Sequence, residues 1–128
     1  MERSVIKTTA APEAIGPYSQ AVVHENMVYC SGQVGLIPER MELISEDVRA
    51  QTEQVMENMK AVLEAAGCSF DQVLKCSIFI LDMEDFPIVN DVYGRYFDAE
   101  RPPARETIAV RSLPKGAKVE ISCIACKS

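Results

Sequence analysis

The sequence predicts a single α/β domain, residues 1–128, with two helices on one face of a mixed β-sheet. Short β-prone runs and longer helix-period stretches follow each other in the order β-β-α-β-α-β-β. A chain of 128 residues is long enough to bury one sizeable core. No internal repeat, low-complexity tract or linker-like shift in composition divides it.

Residues 5–8 are expected to add a short strand ahead of two β-prone runs, residues 19–24 and 27–31. Glu25-Asn26 sits between those runs as a hairpin turn. Residues 32–44 hold Gly32, Gly35 and Pro38 and read as a loop. Ser45 is the expected helix cap, with Glu46 and Asp47 favouring the positive N-terminal end. Val48, Val55, Met59, Val62, Leu63 and Ala66 then recur on one helical face, and Gly67 is the expected stop. Residues 73–81 form a strand. A second helix has Pro87 in its first turn and a buried stripe of Phe86, Val89, Tyr93, Tyr96 and Phe97. Arg101-Pro102-Pro103 is expected to end it. Strands at 105–110 and 118–126 close the chain around the turn Leu113-Pro114-Lys115-Gly116. The strand at 73–81 is apolar on both faces, and two helices on one side cover only one of them. The uncovered face therefore asks for another copy of the chain.

The net charge of −6 gives the protein no electrostatic reason to seek nucleic acid or an anionic membrane. No apolar run approaches the length of a membrane span, and the first residues lack the apolar core of a signal peptide. An odd set of five cysteines in such a chain predicts reduced thiols in the cytoplasm. Cys123 and Cys126, three apart on a strand, point to opposite faces, and no second pair exists to complete a zinc site. His24, at a hairpin end, reads as a surface residue without a nucleophile beside it. No glycine-rich phosphate loop is present.

Two ionisable residues stand out by position. Arg105 opens a strand after Pro102-Pro103-Ala104 and offers a planar fork that matches a carboxylate. A surface arginine at a strand end is the plainer reading. Glu120 lies mid-strand, on the face opposite Val119 and Ile121, where it serves as a general base or simply faces water. Spacing alone leaves both pairs of readings open and does not bring the two residues together.

Four stretches bear on this. They are Ala11 to Ala21 with its Gly-Pro-Tyr-Ser-Gln-Ala run, and Tyr29-Cys30-Ser31-Gly32-Gln33-Val34-Gly35. Further on come Asn90 to Phe97 with Arg101-Pro102-Pro103-Ala104-Arg105, and Leu113-Pro114-Lys115-Gly116-Ala117-Lys118-Val119-Glu120-Ile121. In this order and spacing they closely resemble the Rid family (reactive intermediate deaminase, also called YjgF), from about residue 5 to the C-terminus. The resemblance implies a chorismate-mutase-like α/β fold assembled as a homotrimer. Its sheets form a central barrel, with helices outside and substrate clefts between subunits. It also implies hydrolysis of 2-iminopropanoate and 2-iminobutanoate to 2-keto acids and ammonia, without metal or organic cofactor. The implied site has Glu120 as base, Arg105 as carboxylate clamp, and Tyr18, Ser31, Gly32, Asn90 and Thr107 around the substrate. Many bacterial relatives have cysteine where this chain has Thr107. The contact there looks like a main-chain one, so threonine is expected to be tolerated. Two other roles stay open, a trimer that binds small ligands or acts like a chaperone, and an RNA-directed translation inhibitor.

Overall fold

The computed structural model describes residues 2–127, and the strands order themselves as β1-β2-β3-β8-β6-β7. These are β1 (Ser4–Ile6), β2 (Ala21–His24), β3 (Met27–Gln33), β6 (Val73–Ile80), β7 (Ala104–Ala109) and β8 (Val119–Cys126). The small hairpin β4 (Leu36–Ile37) and β5 (Glu42–Leu43) stands outside this sheet. All neighbours in the large sheet are antiparallel except β6 and β7, which the helix α2 (Phe86–Gly94) connects as a parallel crossover. The expected mixed sheet is therefore present.

Helix α1 (Val48–Ala65) packs on β3, β8 and α2. Its stripe of Val55, Met59, Val62 and Leu63 is buried against Val28, Cys30, Ile78, Ile121 and Cys123 of the sheet. Each side chain so buried contributes about 1.5–3 kcal/mol relative to exposure. The helix ends as anticipated. Gly67 takes φ +81°, Gly67 N–H donates to Glu64 O and Cys68 N–H donates to Leu63 O, a Schellman closure.

Several boundaries differ from those expected. The cap of α1 is Asp47, whose carboxylate accepts from Ala50 N–H at 2.9 Å, while Ser45 Oγ accepts from Asp47 N–H instead. Both oxygens suit a cap, and the extended backbone at Asp47 decides between them. The stretch 32–44 is not a plain loop. β3 runs on to Gln33, and the β4–β5 hairpin follows, tied to α1 where Asn58 Nδ2 donates to Val34 O and Leu36 O. The second helix stops at Gly94, well before the prolines. Glycine is a poor helix former, and beyond it Tyr96 and Phe97 turn back to pack on Phe70.

Alternation along β8 buries Val119, Ile121, Cys123 and Ala125 under the helices. Among the described residues no helix packs on the opposite face. Val5 on β1, Tyr29 on β3 and Ile108 on β7 stand there about half exposed, with Phe79 opposite Ile108 and Ile124 opposite Tyr29 between them. Among the described residues no helix is long and apolar enough to cross a membrane.

Candidate functional site

The sequence-predicted residues fall into two sets on opposite faces of the sheet. The first set surrounds a cavity of about 510 Å³ lined by Tyr18, Ser31, Gly32, Lys115 and Glu120 among others. The local backbone explains why these meet. Between Cys30 and Gln33 two residues of β3, Ser31 and Gly32, oppose the single Ser122 of β8, a bulge that breaks the ladder beside Glu120. Ser31 is fixed there by its hydroxyl, which donates to Ser19 O at 2.6 Å, and by its N–H, which donates to Gln20 O.

Gln20 anchors the outer wall of the cavity. Its buried amide accepts from Thr8 N–H and donates to Thr8 O and Pro12 O, clasping the N-terminal segment onto β2. Tyr18 follows a tight turn at Gly16 (φ +115°) and stands half exposed at the rim. The remaining lining is largely apolar, with Ile15, Val34, Leu36, Met41 and Pro114.

Glu120 pairs with Phe79 of β6 and points away from the helix-covered core. Burial holds its carboxyl above the usual glutamate value. Burial is the cause of that shift, and no charged neighbour among the described residues contributes to it. Glycine at 32 is required by close approach. A Cβ there would lie 2.8 Å from Glu120 Cδ. Gly32→Ala is therefore expected to fold, because the glutamate side chain can swing aside. If Glu120 acts as a base, that displacement is also expected to cost about ten-fold or more in kcat. Steady-state kinetics beside a thermal melt check this. Full activity with the native melt would show that Glu120 is not held where the chemistry needs it.

The second set comprises Asn90, Arg105 and Thr107. Arg105 pairs across the parallel ladder with Cys76, and Thr107 with Ile78, both core residues. Their side chains thus lie on the helix-covered face of β7, the edge strand. Arg105 is exposed, and its Nη1 donates to Asn90 Oδ1 at 2.6 Å. Its guanidinium carbon sits 5.3 Å from the centre of the Phe86 ring and 5.1 Å from that of Tyr93. The Thr107 hydroxyl is buried without a hydrogen-bond partner among the described residues. β6 separates β7 from β8, so one chain does not bring Arg105 to Glu120.

Sequence reasoning passed over Lys115, which lines the cavity from a turn where it takes φ +63°. It read Phe86 and Tyr93 only as core. A run of Leu-Pro-Lys-Gly marks the lysine's turn but not the direction of its side chain. Cys123 lies on the buried face of β8 and Cys126 on the other, as expected from their spacing.

The comparisons with known proteins agree with this architecture. A family model described as Endoribonuclease L-PSP matches residues 8–127. Protein DfrA of Myxococcus xanthus is 54% identical over 98% of this chain and 96% of its own length. The mouse protein named 2-iminobutanoate/2-iminopropanoate deaminase is 46% identical over 96% of this chain and 90% of its own. A crystal structure of the Rid family protein YyfA from Yersinia pestis superimposes with TM-score 0.95 at 46% identity, covering 98% of this chain and 99% of that one. Matches of this extent, spanning the bulge at Ser31-Gly32 and both strands that bear Arg105 and Glu120, make this chain a member of the Rid family.

Proposed function

We propose that the protein hydrolyses 2-imino acids, 2-iminopropanoate and 2-iminobutanoate among them, to 2-keto acids and ammonia in the reducing cytoplasm. The observation that carries this reading is the separation of the site residues. A glutamate with a raised pKa lines an apolar cavity on one face, and an arginine with an uncommitted charge stands at the sheet edge on the other. A second copy of the chain is the natural way to join them. The uncovered apolar face of the sheet gives copies a reason to associate. A closed trimer would then hold three clefts, each with Glu120 from one subunit and Arg105 from its neighbour. Light scattering at low micromolar concentration is expected to give the trimer mass, and a monomer mass would remove the composite site.

In such a cleft Arg105 holds the substrate carboxylate in two parallel hydrogen bonds. That leaves C2 of the imine beside a water bound to Glu120. The glutamate takes a proton from the water as its oxygen bonds to C2, and the imine nitrogen gains a proton. A carbinolamine results. A further proton to nitrogen lets the C–N bond break and ammonia leave, while the hydroxyl proton returns to solvent and the 2-keto acid remains. Every group needed belongs to the chain and water, so the reaction as drawn uses neither metal nor organic cofactor. The mouse relative's name supports the substrate class.

The family description names RNA cleavage instead. A net charge of −6 gives the chain no long-range attraction for an RNA backbone. The direct test couples a serine/threonine dehydratase to the protein and follows keto-acid formation while a competing amine traps free imine. Faster keto-acid release with less trapped product is expected. Keto-acid binding without any acceleration would point to a ligand-binding protein, and RNA cleavage abolished by a site variant would point to the nuclease.

A further inference from the structure

We infer that Phe86, Asn90 and Tyr93 form a neutral cradle that orients the Arg105 guanidinium while leaving its charge free for a carboxylate ligand. This rests on the carboxylate-binding role proposed above for Arg105.

The three residues sit at i, i+4 and i+7 on α2 and so share one helical face, the face turned to β7. Both rings lie within cation–π distance of the guanidinium carbon, and Asn90 Oδ1 takes one of its five N–H donors. A long side chain at an exposed sheet edge would otherwise lose rotamer freedom on binding. The cradle removes that loss in advance, which is the physical meaning of preorganisation.

The chemistry of the contacts matters as much as their geometry. The neighbouring helix arginines are neutralised. Arg49 and Arg95 both reach the Asp91 carboxylate, at 2.9 and 2.8 Å, and Arg95 also faces Glu53. Among the described residues no carboxylate lies within ion-pair distance of Arg105. One residue along from Asp91, position 90 presents an amide oxygen. It accepts the same hydrogen bond a carboxylate would but carries no charge to compete with a ligand. The opposite partner on the ladder, Cys76, has its thiol pushed up to about 11 by burial and stays uncharged as well. Glu106, next along the strand, faces the other way, towards Ser77 and Lys75.

The test uses the full chain and 2-oxobutanoate as the carboxylate probe, titrated calorimetrically, with imine hydrolysis measured in parallel. Asn90→Asp, nearly isosteric, is expected to weaken 2-oxobutanoate binding at least ten-fold and more than Asn90→Ala, by neutralising Arg105. Phe86→Leu should weaken it by about two- to thirty-fold, the span of a cation–π contact. KM should rise by a similar factor, with kcat within about two-fold. Phe86→Trp should restore or tighten binding relative to Phe86→Leu. Thermal melts run alongside separate these effects from unfolding, and Phe86 is only half buried where Tyr93 is buried.

Binding unchanged in both Asn90→Asp and Phe86→Leu would overturn the cradle. So would a loss in Phe86→Leu that Phe86→Trp does not repair, which would mark Phe86 as packing only. Keto-acid binding that follows the predicted order in a protein without imine hydrolysis would remove the deaminase reading and keep the cradle. Hydrolysis with all variants equal to wild type would do the reverse. A wild-type protein with no affinity for imine or keto acid would overturn both.

Discussion

Arg105→Lys lowers kcat/KM for 2-imino acids by about ten- to several-hundred-fold, and Arg105→Ala by at least as much, if Arg105 is the carboxylate clamp. A guanidinium offers two parallel N–H bonds to a carboxylate, whereas an ammonium is a compact point charge with a shorter overall reach. Each charged hydrogen bond is worth roughly 1.5–3 kcal/mol, so losing one or both gives the stated range. Lysine also forfeits the planar group that lies over Phe86 and Tyr93 and the hydrogen bond to Asn90. The position lies at an exposed sheet edge, so stability should change little. Titration of 2-oxobutanoate into wild type and both variants checks the claim, and equal affinity in all three would refute it.

Glu120→Gln is the variant expected to cost most in turnover. A positioned general base contributes about 10²–10⁴-fold, and glutamine keeps the shape while removing the basic oxygen. The loss should fall on kcat, with keto-acid affinity retained. The direction of the pKa shift adds a second signature. Burial raises the carboxyl above its ordinary value of 4.5, so the folded chain holds this proton more tightly than the unfolded one. Stability from this group is present below the ordinary glutamate range and is lost as pH rises through the raised value. Glu120→Gln should therefore be as stable as wild type at neutral pH, or more so. Activity runs the other way, because the base works ionised. The acid limb of kcat/KM, which reports the free protein, should be carried by this carboxyl and vanish in Glu120→Gln. An acid limb that persists unchanged in Glu120→Gln, or a variant of normal kcat, would remove Glu120 from the chemistry.

Periodicity made α1 legible, because one strong apolar stripe and a terminal glycine leave few alternatives. Its cap was less so. Ser45 and Asp47 carry equally suitable oxygens, and only the backbone angle at Asp47 selects it. The β4–β5 hairpin could not be read, since two-residue strands show no alternation and depend on Asn58 reaching over from α1. The aromatic stripe of the second helix continued to Phe97 in sequence, while the helix itself ended at Gly94. Strand parity correctly put Glu120 opposite Val119 and Ile121. Parity within one strand says nothing about another strand's face. The placement of Arg105 on the far face of the sheet emerged only with the Cys76 register, as did the role of Phe86 and Tyr93 beneath it.

Mixing two dead variants tests most directly whether Glu120 and Arg105 meet between subunits. Arg105→Ala chains keep Glu120, and Glu120→Gln chains keep Arg105, so a cleft built from one of each can hold both native groups. Refolding the two together at equal concentration gives about one cleft in four with the intact pair, if copies assort at random in a closed ring. The account predicts that imine hydrolysis returns to about a quarter of the wild-type rate in the mixture. A refolded mixture no more active than its two parents, though assembled to the same mass as wild type, would contradict it.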